Sequence, residues 1–240
     1  MQALTPPKLR IAAASDLKFA LTELCQTFTK MTGQTVDLQF GSSGNLARQI
    51  TQGLPLDIFM SADEALVFSL FEGGFTPDKG ALYATGRIAL MLPKNSALQP
   101  PKSEAEARLT LANQLKTVRK FAIANPEHAP YGRAAKEALQ NLGLWEQLSS
   151  KLVMGDNISQ ATQFVTSGAA QAGISALSLA LAPEVAAQSG AYWLLPDSLH
   201  APLKQRMVIL KSAHPTARAL FDFLQTPAAK AVFAKYGFSV

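Results

Sequence analysis

Short apolar runs alternate along this chain with stretches whose apolar residues fall three and four apart, and few folds accommodate that alternation. The run Ile11-Ala12-Ala13-Ala14 ends on Ser15, and Leu17, Ala20, Leu21, Leu24, Cys25 and Phe28 follow at the spacing of one helix face. The spacing predicts a strand over 9–14 and a helix over 16–31, with Ser15 as N-cap and Gly33 as the C-terminal stop. Val36, Leu38 and Phe40 alternate with polar residues as a second strand. It runs through Gly41-Ser42-Ser43-Gly44-Asn45 into a short helix marked by Leu46, Ala47 and Ile50. Residues 57–60 form a third strand, followed by the polar turn Ser61-Ala62-Asp63 and a helical stretch. Strand, helix, strand, helix, strand implies a parallel sheet covered by helices, the α/β class. Ligands of such sheets settle beyond the carboxyl ends of the strands, where Ser15 and Ser43 stand.

The same texture continues. A strand over 88–92 leads into a loop rich in proline and charge, and a strand over 121–125 follows. The turn Asn125-Pro126-Glu127-His128-Ala129-Pro130-Tyr131-Gly132 precedes Ala134, Ala135, Ala138, Leu139 and Leu142 at helical spacing. A strand over 151–154 passes through Gly155-Asp156-Asn157 into a helix with Ile158, Ala161, Thr162 and Val165 on one face, stopped by Gly168. Further strands are expected over 172–175, 192–195 and 206–210, and closing helices over 217–224 and 228–236. No repeat, low-complexity tract or long linker interrupts the 240 residues.

Four helix starts therefore carry Ser15, Ser43, Tyr131 or Ile158 at or beside them. Each has a plain explanation as a cap. Their convergence on one cleft would instead assemble hydroxyls and helix-end N–H groups into a binder of a small oxyanion.

Signals for other functions are weak. Gly41-Ser42-Ser43-Gly44 lacks the second glycine of a nucleophile elbow, and neither a P-loop lysine nor a dinucleotide-binding glycine pattern occurs. His128, His200 and His214 stand too far apart for metal-ligand spacing. His128 beside Glu127 is the best acid–base candidate, which leaves a hydrolase using Ser43 with His128 as the enzyme alternative. The net charge of +5 is scattered, and the densest basic stretch, Lys116 to Lys120, has no interleaved aromatics, so a nucleic-acid partner is not expected. A hydrophobic fraction of 48% with 16% charged residues describes a globular chain, and no apolar run reaches the ~20 residues of a membrane span. Met1 to Lys8 lacks the pattern of a signal peptide, which leaves a cytoplasmic chain or one whose leader has been removed. Cys25, alone and on an apolar helix face, reads as a core residue.

The ordered set of segments is similar to one known family. Ala12-Ala13-Ala14-Ser15, Gly41-Ser42-Ser43-Gly44-Asn45-Leu46-Ala47-Arg48-Gln49-Ile50 and Asp57-Ile58-Phe59-Met60-Ser61-Ala62-Asp63 resemble segments of the molybdate-binding proteins of bacterial ABC transporters. The segment from Asn125 to Gly132, the helix over 134–142 and the closing Lys235-Tyr236-Gly237-Phe238 extend the likeness over nearly the whole chain. The resemblance implies a two-lobed type II periplasmic binding protein fold, each lobe a mixed β-sheet flanked by helices. Lobe I would hold residues 8–85 and 197–240, and lobe II residues 86–196. It implies a monomeric, periplasmic, non-enzymatic receptor without a cofactor, which closes on molybdate or tungstate and delivers it to a membrane permease. Carried over by position, the ligand-binding residues would be Ser15, Asp16, Ser43, Tyr131 and Ile158, the last through its backbone N–H. Some members place a binding tyrosine where this chain has Ala176, and Tyr131 stands here where those members have a small residue.

Asp16 departs from the pattern, which has asparagine in the subgroup that this chain otherwise resembles. Two unit charges ~4 Å apart repel by about 1 kcal/mol in water and by more in a dry cleft. Asp16 is therefore expected to offer its backbone N–H while its carboxylate turns away. The rival expectation is that it accepts the proton of hydrogen phosphate. A receptor for phosphate or sulfate and a cytoplasmic or regulatory anion sensor are the remaining alternatives.

Overall fold

In a computed structural model, which describes residues 8–240, the alternation resolves into two separate five-stranded sheets. The chain begins β1 (Leu9–Ala14), a 3-10 turn (Ser15–Leu17), α1 (Lys18–Thr32), β2 (Val36–Gly41), α2 (Ser43–Thr51), β3 (Ile58–Ser61), α3 (Glu64–Glu72) and β4 (Ala81–Gly86). It continues with β5 (Ile88–Pro93), α4 (Glu104–Gln114), β6 (Phe121–Ala124), α5 (Pro130–Asn141), α6 (Trp145–Ser149), β7 (Leu152–Gly155) and α7 (Ile158–Thr166). Next come β8 (Ala172–Ala176), α8 (Leu177–Ala180), α9 (Pro183–Ala186) and β9 (Ser189–Leu194). The chain closes with a 3-10 turn (Asp197–Leu199), β10 (Leu203–Ile209), α10 (Ala217–Phe223) and α11 (Pro227–Lys235). Residues 1–7, on which most of the reading about a leader rests, lie outside the described residues.

The sheet orders are β2-β1-β3-β10-β4 and β7-β6-β8-β5-β9. In the first, β1 runs parallel to β2 and β3, while β10 is antiparallel to β3 and β4. In the second, β6 runs parallel to β7 and β8, while β5 is antiparallel to β8 and β9. The two sheets thus repeat one plan. The purely parallel sheet suggested by the strand–helix alternation is corrected to a mixed one. Strand β10 enters the first sheet from the second, without a helical crossover on its own sheet, so nothing holds it to the parallel direction. The chain passes between sheets twice, at Arg87 and again between β9 and β10.

Alternation along β1 explains its double burial. Ile11 and Ala13 meet Leu21, Leu24, Phe28 and Phe233 on one face, and Ala12 meets Leu46, Ile50 and Phe59 on the other. The second sheet packs Ile88, Leu90, Phe121 and Ile123 against Ala135 and Leu139 of α5. Each such fully buried Leu, Ile or Phe contributes about 1.5–3 kcal/mol.

Three local expectations change. The proline- and charge-rich loop contains α4, whose cap Ser103 accepts a hydrogen bond from the Glu106 N–H and whose first turn carries Glu104 and Glu106. That is an S-x-x-E capping signal, masked in the sequence by the prolines before it. β4 is a strand where the sequence pattern predicts none. Ser15 does not cap α1, which begins three residues later without a side-chain cap. No helix of the described residues is long and apolar enough to cross a membrane.

Candidate functional site

The register brings strand ends together. Ala14 pairs with Gly41 at the ends of β1 and β2, and Ala124 pairs with Gly155 at the ends of β6 and β7. Beyond those ends stand the 3-10 turn at Ser15 and the first turns of α2, α5 and α7. They surround a small cavity of about 10 Å3 between the sheets, lined among others by Ser15, Asp16, Ser43, Tyr131 and Ile158. All five residues are buried, and no lysine or arginine lines the cavity.

The two lobes are clasped around it. The Ser159 N–H, in the first turn of α7, donates to Ser15 Oγ at 3.2 Å, and the Ser159 hydroxyl donates to the Ser15 carbonyl at 2.9 Å. The serine expected to cap its own helix thus serves the helix of the opposite lobe. The Gly44 N–H donates to the His128 carbonyl at 3.0 Å, and Ser42 Oγ lies 2.9 Å from His128 Nδ1. The Ser178 hydroxyl donates to the Asp16 carbonyl at 2.8 Å, and Arg133 of α5 pairs with Asp63 at the start of α3.

Ser43 Oγ accepts the Ala62 N–H at 3.0 Å. Ser15 and Ser43 therefore each accept a backbone N–H, while neither hydroxyl proton has an acceptor among the described residues. A buried donor left in this way costs about 1–3 kcal/mol until something accepts from it.

The Asp16 carboxyl is enclosed in the protein interior. The side chain is 1% exposed, because the 3-10 turn packs against α7, α8 and β2. Its Oδ2 accepts the Tyr131 hydroxyl at 2.8 Å and Gln205 Nε2 at 2.6 Å. Gln205 Nε2 also lies 3.1 Å from the Tyr131 oxygen, and Gln205 Oε1 accepts the Tyr83 hydroxyl at 2.7 Å. Asp16 Oδ1 is buried without a hydrogen-bond partner. Burial pushes the Asp16 carboxyl up to about 6, against the lowering influence of Gln205, Tyr131 and the backbone N–H groups of Asp16 and Leu17. Burial, and then the Asp16 charge, push the Tyr83 and Tyr131 hydroxyls well above the usual tyrosine range.

A carboxyl raised on folding stabilises the protein below its unfolded value, 3.8, and loses that contribution as pH rises through about 6. The shift corresponds to about 3 kcal/mol. Asp16→Asn is therefore expected to exceed the parent in stability by up to that amount at pH 8, with the difference shrinking toward pH 4. Urea denaturation of both proteins at pH 4, 6 and 8 measures it, and a pH-independent difference refutes it.

Gln205 lies just outside the strand expected over 206–210 and inside β10. Along β10, alternation puts Leu203, Gln205 and Met207 on one buried face. A lone amide at an inward strand position was the available signal. Gly86 faces the same network: a Cβ there would stand 2.2 Å from the Tyr131 hydroxyl oxygen and 2.7 Å from Gln205 Nε2. The Ser43–His128 pair weighed for a hydrolase is not formed. His128 bonds Ser42 instead, and no carboxylate orients its ring among the described residues. Among those residues, no three His, Cys, Asp or Glu side chains group to hold a metal ion.

Residues 9–239 match the family model of the bacterial extracellular solute-binding proteins. The molybdate-binding protein ModA of Rhodobacter capsulatus is 37% identical over 230 residues, covering 95% of this chain and 86% of the relative. ModA of Escherichia coli K12 is 30% identical, covering 97% of this chain and 89% of that one. The structure of the Azotobacter vinelandii periplasmic molybdate-binding protein superposes with a TM-score of 0.86 at 30% identity, covering 97% of this chain and 99% of the other.

Proposed function

The chain belongs to the bacterial extracellular solute-binding proteins, in their ModA-like group, and from that membership we propose that it captures molybdate or tungstate between its lobes and delivers it to an ABC permease. The observation that carries this reading is the pair of buried hydroxyls, Ser15 and Ser43, whose oxygens are engaged by backbone N–H groups and whose protons have no acceptor among the described residues. A cavity with donors to spare and no lysine or arginine suits an anion held by hydrogen bonds. Its enclosed volume, about 10 Å3, is far below the ~300–1,000 Å3 typical of drug-sized ligands, which limits the site to a very small occupant.

In this reading Ser15 and Ser43 donate through their hydroxyls, and Asp16, Ser43 and Ile158 add backbone N–H groups at the starts of the 3-10 turn, α2 and α7. Roughly half a positive charge at each α-helix start favours the dianion. Tyr131 closes the remaining side. Binding and release are a hinge motion at the two passages between sheets, because the donors come from both lobes and form one shell only when the lobes meet. Sulfate is disfavoured by its shorter bonds, which leave slack hydrogen bonds in a cavity sized for molybdate, and slack bonding around a buried charge is costly. The protein works as a monomer outside the cytoplasmic membrane, without cofactor or catalysis.

Calorimetric titration with molybdate, tungstate, sulfate and phosphate tests the reading. The first two are expected to bind at micromolar concentration or below and sulfate far more weakly. Absence of binding by both metal oxyanions at micromolar concentration refutes it.

A further inference from the structure

Asp16 raises a question that the oxyanion reading does not answer: how a carboxyl buried on the cavity wall tolerates a dianion. Its two oxygens are not equivalent. Oδ2 takes two donors, the Tyr131 hydroxyl and the Gln205 amide, while Oδ1 is buried and has no partner. A carboxylate in this position would leave half of its charge buried without a hydrogen bond, on a residue that lines the cavity. A carboxylic acid suits the same geometry, with Oδ2 as the carbonyl oxygen accepting both donors and the proton on Oδ1.

We propose that Asp16 holds the anion as the neutral acid, with the Oδ1–H donating to an anion oxygen, so that each molybdate bound above neutral pH takes up one proton from solvent. The inference rests on the oxyanion reading and adds the regulation of that site by pH. The balance is simple: one proton joins the carboxylate, no covalent bond to the anion forms, and the site gains one negative charge on binding rather than two. Tyr131 is then a positioning residue. Its hydroxyl proton is committed to Asp16 Oδ2, and it fixes which carboxyl oxygen faces the ligand.

The surroundings leave Asp16 as the group that titrates. α5 presents Tyr131 and β4 presents Tyr83, both held protonated by burial and by the Asp16 charge. β10 presents the uncharged Gln205. α7 and α8, packed against the 3-10 turn, carry no titratable side chain within their spans. β2 contributes only Asp37, exposed and paired with Lys8, and α1 follows with the exposed Lys18. Arg133 is engaged by Asp63, and His128, on the loop before α5, bonds Ser42. A raised carboxyl value, about 6, agrees with this arrangement.

Molybdate titrations by calorimetry, in pairs of buffers with different ionisation enthalpies between pH 5 and 8.5, count the protons exchanged. Uptake is expected to rise from a fraction of a proton at pH 5 to about one at pH 8, with affinity falling toward about tenfold per pH unit over the upper part of the range. Asp16→Asn is expected to remove the uptake and flatten the profile, and His128→Gln to keep both. Molybdate binding by the parent protein without proton uptake overturns the proposal and leaves the oxyanion reading standing. So does uptake that survives in Asp16→Asn or vanishes in His128→Gln. Should Asp16→Asn not fold, the parent's own proton count still decides. Tight binding of phosphate at pH 8 without uptake overturns the proposal as well, because Asp16 would then be the acceptor. Failure of the parent to bind molybdate at any pH removes the oxyanion reading and this proposal with it.

Discussion

Gly44→Ala is expected to cost the protein most of its anion affinity while both lobes stay folded. Gly44 sits in the first turn of α2, and a Cβ there would stand 2.5 Å from the His128 carbonyl oxygen of the other lobe. That oxygen is also the acceptor of the Gly44 N–H at 3.0 Å, so the methyl group would both collide and displace a hydrogen bond. The collision exists only when the lobes meet. Overpacking of this kind costs about 1–3 kcal/mol and the lost bond about 1 more, so a roughly 30- to 1000-fold rise in Kd for molybdate is expected. Unfolding stability should not fall, because alanine is the better helix former by about 1 kcal/mol. Calorimetry and urea denaturation on the same preparation separate the two effects. Unchanged affinity would show that binding does not require this contact between lobes.

Gln205→Met is expected to produce the largest loss of stability among single changes near the site. The side chain is fully buried and connects three polar groups: Asp16 Oδ2, the Tyr131 hydroxyl and the Tyr83 hydroxyl. Methionine keeps the volume and removes every bond. Tyr83 loses its acceptor outright, and Asp16 keeps Tyr131 alone. At about 1–3 kcal/mol for each buried group deprived of a partner, a loss of roughly 2–5 kcal/mol is expected in urea denaturation at pH 7. A loss below about 1 kcal/mol would mean that water replaces the amide and that the network contributes little. The same variant should raise the Asp16 carboxyl further, since the Gln205 hydrogen bond is the strongest influence now lowering it.

Local signals were strong where a residue's role depends on its own neighbours in the chain. Ser15, Ser43, Tyr131 and Ile158 could be singled out because each stands where an apolar run gives way to helical spacing, and the structure brings all four to one cavity wall. The family could be recognised for the same reason, since its segments are short, ordered and contiguous. α4 was missed because Pro100 and Pro101 dominate its approach and only Ala107 and Leu111 of its span are buried, so its hydrophobic face is thin.

The network behind the wall was not legible. Gln205 is separated from Asp16 by 189 positions, and Tyr131 by 115. Nothing near Asp16 in the chain shows that its carboxyl will be enclosed, and a carboxylate one step inside a helix start ordinarily faces water and the helix dipole. Gln205 joins it because β10 returns between β3 and β4 after the chain has built the other sheet.

The sequence by itself determined the alternation of strand and helix, and through it the place of each helix start and each hydroxyl that could meet an anion. Hydrophobic spacing and capping act within a few residues, so they can be read from a single chain. Only the tertiary structure decided that Ser15 accepts from the helix of the opposite lobe, that His128 serves Ser42 instead of Ser43, and that Asp16 lies buried against Tyr131 and Gln205. The cost of burying a charge and the partners that offset it depend on which distant segments the fold brings together.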